Sequence, residues 1–103
     1  MATHKKDIYK QEDIELAAIA KAIGHPARIA ILKILISKGN CICKEISDEL
    51  PLAKSTVSQH LNELKKADLV IGEIQAPKIC YQINTAKWNL VQKMFDGLIV
   101  KCC

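Results

Sequence analysis

Two thiols stand one residue apart in "GNCICKEI", at Cys41 and Cys43, and two more are adjacent at Cys102 and Cys103. Cys80 is the fifth, and this odd set lacks the spacing of a small disulfide scaffold, which points to ligand or redox chemistry. Thiolates are soft donors that select thiophilic ions. Within a helix, residues i and i+2 diverge by about 200° and do not face each other. A shared ion therefore needs the pair just outside a helix's first turn. Gly39 and Asn40 before the pair, and a helix starting near Lys44, supply that setting. A helix N-terminus lowers a thiol pKa, and Lys44 acts in the same direction. Closed zinc sites use four ligands and a C-x₂₋₄-C spacing that this pair lacks. The plainer reading remains that some cysteines, Cys80 first, are small buried hydrophobes, and that the terminal pair is a frayed tail.

A second group of residues lies in "LAKSTVSQHLNELKKADLV". Val57, Leu61 and Leu64 form one apolar stripe at helical spacing. Opposite them fall Ser55, Gln59, Asn62 and Lys66, flanked by Thr56 and Ser58. Short hydrogen-bonding side chains near a helix N-terminus suit the edges of bases in a major groove. Lys54, Lys65, Lys66 and Lys78 are placed to meet phosphates, which gives affinity rather than sequence choice. The competing reading is a polar face that is simply solvated.

The elements that must position both groups are legible in the pattern. "IELAAIAKAI" predicts a buried helix over 14–23, with Gly24 expected at positive φ behind it. Pro26 suits the first turn of a second helix, "PARIAILKILISKG", with Ile29, Leu32, Leu35 and Ile36 expected inward. "KEISDEL" gives a short third helix closed by Pro51. After the fourth helix, "LVIGEIQ" and "KICYQIN" read as a two-stranded hairpin joined at Ala76-Pro77. "TAKWNLVQKMFDGLIVKC" returns to helical spacing, with Trp88, Val91, Phe95 and Leu98 on one face and Gly97 weakening the end. The expected fold class is mainly α with a β-hairpin wing, in the order helix-helix-helix-helix-hairpin-helix. This is a winged helix-turn-helix. One domain is expected over 1–103, with 1–12 frayed.

The totals agree with a single core: 103 residues, 50% hydrophobic, 25% charged and a net charge of +4. The mildly basic balance is compatible with a polyanion partner without proving one. No apolar run reaches the length of a membrane span and the first residues lack the pattern of a signal peptide, so a cytoplasmic location is expected. His4, His25 and His60 are scattered, and no catalytic constellation or phosphate-cradling glycine loop is present, so the chain is not expected to be an enzyme.

"IGHPARIAILKIL", the CxC, "ISDELPLAKSTVSQHLNELKKADLVIGE" and "ICYQIN" together resemble the ArsR/SmtB family of metal-responsive winged-helix repressors, over about residues 14–84. The resemblance implies that Lys54, Ser55, Thr56, Ser58, Gln59 and His60 occupy the DNA-reading helix. His60 has a second reading, bridging that helix to the core. Ala53 stands where members often carry a serine cap. The resemblance further implies a homodimer, packed through the first and last helices, on a pseudo-palindromic operator in double-stranded DNA. In the arsenic-sensing branch, a CxC at this helix resembles the site for As(III) or Sb(III), completed by a third cysteine whose usual place is Ile46 here. Cys102 and Cys103 become the candidates for that third thiol, with Cys80 behind them. A zinc site on the last helix has only Asp96 to draw on. The expected function is thus a homodimeric repressor released from its operator by a thiophilic metalloid. A thiol redox-sensing repressor and a winged-helix protein-interaction domain without DNA are the alternatives.

Overall fold

The computed structural model describes residues 8–99. Five helices and three strands follow in the order α1 (Gln11–Ile23), α2 (Pro26–Lys38), β1 (Asn40–Ile42), α3 (Cys43–Glu49), α4 (Lys54–Lys66), β2 (Val70–Gln75), β3 (Lys78–Ile83) and α5 (Thr85–Leu98). The expected helix order and the hairpin are present, and the winged helix-turn-helix class holds.

Helix α1 carries Glu12 and Asp13 in its first turn and Lys21 in its last, charges that oppose the helix dipole at each end. Gly24 behind it has φ −79°, so the expected left-handed turn is not made. What requires glycine here is space, because a Cβ would lie 3.0 Å from the Ala20 carbonyl oxygen. Helix α2 starts on Pro26, and the His25 side chain caps it by accepting the Ala27 N–H at 3.0 Å. Its buried residues are Ile31, Leu32 and Leu35, while Ile29 and Ile36 are exposed. Leu32 and Leu35 face inward as expected, and Ile29 and Ile36 do not, so the buried face is rotated from the expected one. The segment 29–36 is apolar almost throughout, so spacing cannot choose a face, and contact with α4 and β3 does. Gly39 then closes α2 at φ 89°, where glycine is favoured, and returns its N–H to Leu35 O.

The sheet departs from a two-stranded wing. Asn40–Ile42 forms a third strand, antiparallel to β3, in the order β1-β3-β2. Cys41 is therefore held in a ladder rather than in a free turn, opposite Tyr81. The Ala76–Pro77 peptide bond at the hairpin's tip is cis. Helix α3 follows β1 directly, and Glu45 in its first turn accepts the Ile42 N–H at 2.8 Å.

Helix α4 buries the expected stripe: Val57, Leu61 and Leu64 are fully inaccessible. Ala53 is its N-cap and offers no side-chain bond, so the helix starts without a side-chain cap. After α4 the chain turns through Asp68 at φ 61° and locks, with Leu69 N–H donating to Leu64 O and Asn84 N–H to Leu69 O. The Trp88 indole N–H donates to the same Leu69 carbonyl at 3.0 Å, fastening α5 to this corner. Helix α5 lies against α1. Val91 is buried, Trp88 and Phe95 pack partly on the core, and Leu98 is exposed. Among the described residues no helix is long and apolar enough to cross a membrane.

Candidate nucleic-acid interface and thiol site

Burying Val57, Leu61 and Leu64 fixes the roll of α4, and so decides what its other side presents. Lys54, Ser55, Gln59, Asn62, Lys65 and Lys66 are exposed, with Thr56 and Ser58 half-buried on the flanks. The uncapped first turn also leaves backbone N–H groups directed outward, at the positive end of the helix dipole. Lys78 is exposed on the wing. The outer face is thus polar, cationic at its margins and free of hydrophobic side chains.

His60 is placed differently. Its Nδ1 accepts the Arg28 Nε–H at 3.1 Å, and Arg28 donates again to Ala22 O at 2.9 Å. The His25 ring lies 4.6 Å from the His60 ring, tilted by 50°. One guanidinium thereby joins the end of α1, the start of α2 and the middle of α4. Of the two readings given for His60, the geometry supports the bridge to the body of the protein. Arg28 itself was missed as a positioning residue; "GHPAR" showed a helix start but not a partner 32 residues away.

Because Nδ1 accepts, His60 is neutral in this arrangement and carries its proton on Nε2. Burial, then the neighbouring His25 and Arg28, lower its pKa from 6.5. The unfolded chain therefore takes up this proton at a higher pH than the native chain. The contribution of neutral His60 is complete above about pH 6.5 and is lost as pH falls through the lower folded value. Urea unfolding is expected to show stability rising with pH across that window. His60→Gln keeps an acceptor for Arg28 but does not titrate, and should flatten that slope; an unchanged slope would exclude His60 as its source.

The two thiols of the CxC occupy unlike surroundings. Cys41 faces the core, 1% exposed, directly across from buried Tyr81. Cys43 is half-buried at the first position of α3, and its thiol lies 3.3 Å from Lys54 O, to which it donates. Lys54 is the first residue of α4, so this contact links the CxC to the start of the polar-faced helix. Burial pushes the Cys41 thiol above its ordinary value, Glu45 adds to the rise, and Lys38 opposes it. Burial likewise raises Cys43, against the pull of Lys54. The expected lowering by the helix terminus and Lys44 is therefore reversed, since desolvation outweighs it. Lys44 is turned away to Asp48 at 3.0 Å. Cys80 neighbours Tyr81 in β3 and so points to the other face of the sheet from Cys41, with its thiol donating to Gln75 Oε1 at 3.4 Å.

Two sulfur donors separated by one residue fit a soft cation chemically, but they are an incomplete set. Among the described residues no three His, Cys, Asp or Glu side chains stand close enough to hold a metal ion. Cys102 and Cys103, the expected source of a third thiol, lie outside the described residues.

Comparison with known proteins agrees with this architecture. Residues 23–73 match a family model described as a helix-turn-helix domain. The chain is 41% identical over 83 residues to the uncharacterised HTH-type transcriptional regulator MJ1325 of Methanocaldococcus jannaschii, covering 80% of this chain and 92% of that one. It is 35% identical over 80 residues to the HTH-type transcriptional repressor SmtB of Mycobacterium tuberculosis, covering 78% of this chain and 57% of the relative. Among solved structures, NolR of Sinorhizobium fredii superposes with a TM-score of 0.68 at 26% identity, covering 85% of this chain and 84% of that one. Such proteins are transcriptional regulators and not enzymes. With its helix-turn-helix, its wing and these relatives, the chain belongs to the ArsR/SmtB family of winged helix-turn-helix transcriptional regulators.

Proposed function

We propose that this regulator is a homodimeric repressor released from its operator by As(III) or Sb(III) held at Cys41 and Cys43, with Cys102 or Cys103 as the third thiol. The observation that carries the reading is the Cys43 thiol donating to Lys54 O at 3.3 Å. A thiolate bound to an ion has lost the proton it donated, so ligation removes a bond to the first residue of the reading helix. It also draws β1 and the start of α3 together, and α3 packs on α4. The bound ion must favour the DNA-incompetent form, because only differential affinity shifts the equilibrium.

On the DNA side, Ser55, Thr56, Ser58, Gln59 and Asn62 read base edges, and Lys54 and Lys78 meet phosphates. Two copies pair through α1 and α5, whose exposed Leu90 and Leu98 need covering, and so address a pseudo-palindrome.

A gel shift on the DNA upstream of its own coding sequence, titrated with arsenite, antimonite, cadmium, zinc and peroxide, tests the reading. Release by arsenite or antimonite at concentrations where zinc and peroxide leave the complex intact is the expected result. Release by peroxide alone would transfer the function to thiol oxidation.

A further inference from the structure

The wing ends in a pair of exposed isoleucines, and its position says what they meet. Alternation along the ribbon puts Val70, Gly72 and Ile74 on one face, opposite Ile83, Tyr81 and Ile79. Near the body this face is core: Val70 is 2% and Tyr81 5% exposed. At the tip the same apolar face runs on past the core, with Ile79 39% and Ile74 79% exposed and directly paired. Glu73, Gln75, Lys78 and Cys80 occupy the opposite face, so no charge interrupts the apolar one. Ile79 is held in place, because it leans over Gly72, where an added Cβ would lie 3.3 Å from Ile79 Cγ2 and from Tyr81 Cε1. Ile74 projects beyond that support.

The hydrogen bonds locate the tip relative to α4. At one end of the ribbon, Asn84 N–H donates to Leu69 O and Leu69 N–H to Leu64 O, which ties that end to the last turns of α4. Further along, Cys80 stands opposite Ile42, and the next residue, Cys43, donates to Lys54 O at the first turn of α4. The ribbon therefore runs back along α4, and the Ile74–Ile79 pair lies towards the end that carries Lys54 and Ser55. A hydrophobic tip is thus carried to the end of the domain that a helix-turn-helix regulator turns towards DNA, and Lys78 sits beside it.

From this we infer that Ile74, seated on Ile79, is an apolar wedge that enters the minor groove flanking the segment read by α4 and kinks the duplex there. The inference rests on the DNA-binding reading given above. Aliphatic wedges of this kind act by partly unstacking a base step, and they favour flexible pyrimidine–purine steps. A second copy of the chain is the other possible occupant.

The full chain first selects a duplex from a random-sequence pool. Affinity, salt dependence and end-to-end distance by fluorescence transfer are then measured for the unaltered protein, Ile74→Ala and Lys78→Ala. Ile74→Ala is expected to weaken binding about tenfold, to relax the bend and to leave the salt slope unchanged. Lys78→Ala should lower the salt slope by about one while keeping the bend. Ile74→Ala binding and bending like the unaltered chain would overturn the wedge. So would an unchanged bend together with loss of self-association in sedimentation, which would assign the tip to a second copy. Failure of the unaltered chain to select any duplex would remove the DNA-binding reading itself, a result distinct from either.

Discussion

Cys43→Ser is expected to bind operator DNA as the unaltered protein does and to be deaf to arsenite. A serine hydroxyl can still donate to Lys54 O, so the link between α3 and the reading helix survives. What it removes is a soft sulfur donor, and an oxygen in its place does not hold a thiophilic ion. Allosteric couplings of about 1–3 kcal/mol correspond to affinity changes of about 5–150-fold, and that response should collapse towards onefold. Cys43→Ala makes the complementary test, since it loses both donor roles and should also lower operator affinity modestly. At Cys41 the suitable replacement is alanine, because Cys41→Ser would put a hydroxyl into the core opposite Tyr81 at about 1–3 kcal/mol. Operator binding titrated with arsenite measures all three. Normal release from Cys43→Ser and Cys41→Ala together would remove the CxC from the mechanism.

The second large effect separates the two sides of α4. Leu61 is fully buried, and Leu61→Ala should destabilise the protein by about 2–5 kcal/mol through lost burial and a residual cavity. Gln59, two positions earlier, lies in the same helix with its side chain exposed. Gln59→Ala should leave denaturant unfolding unchanged but cost about 1–3 kcal/mol of sequence discrimination in operator binding. Unfolding curves and binding isotherms on the same two variants check both halves. If Gln59→Ala bound specific and unrelated duplexes with unaltered affinities, Gln59 would not be a reading residue.

Several features were legible because they depend on neighbours in the chain. The stripe of Val57, Leu61 and Leu64 recurs at a single helical spacing among polar residues, so both the helix and its inner face could be read directly. The hairpin was legible from two β-rich runs about a proline, and the start of α2 from His25-Pro26. Helix α2 shows the limit: its helicity was clear, but an apolar run on every side carries no information about orientation.

By itself, the sequence determined the order of helices and hairpin, the polar outer face of α4 and the soft-donor chemistry of Cys41 and Cys43. All of these follow from residue types and local spacing. Only the tertiary structure decided that β1 exists, because a three-residue strand is too short to show alternation and is made by pairing with β3, some 40 residues on. That pairing buries Cys41, and the docking of α3 on α4 half-buries Cys43. Desolvation then reverses the pKa direction that a helix start alone would give. Tertiary structure likewise brought Arg28 to His60, Cys43 to the first carbonyl of α4, and an apolar wing tip towards the N-terminal end of that helix. Each is a contact between segments remote in sequence, and the periodicity of one segment does not encode the position of another.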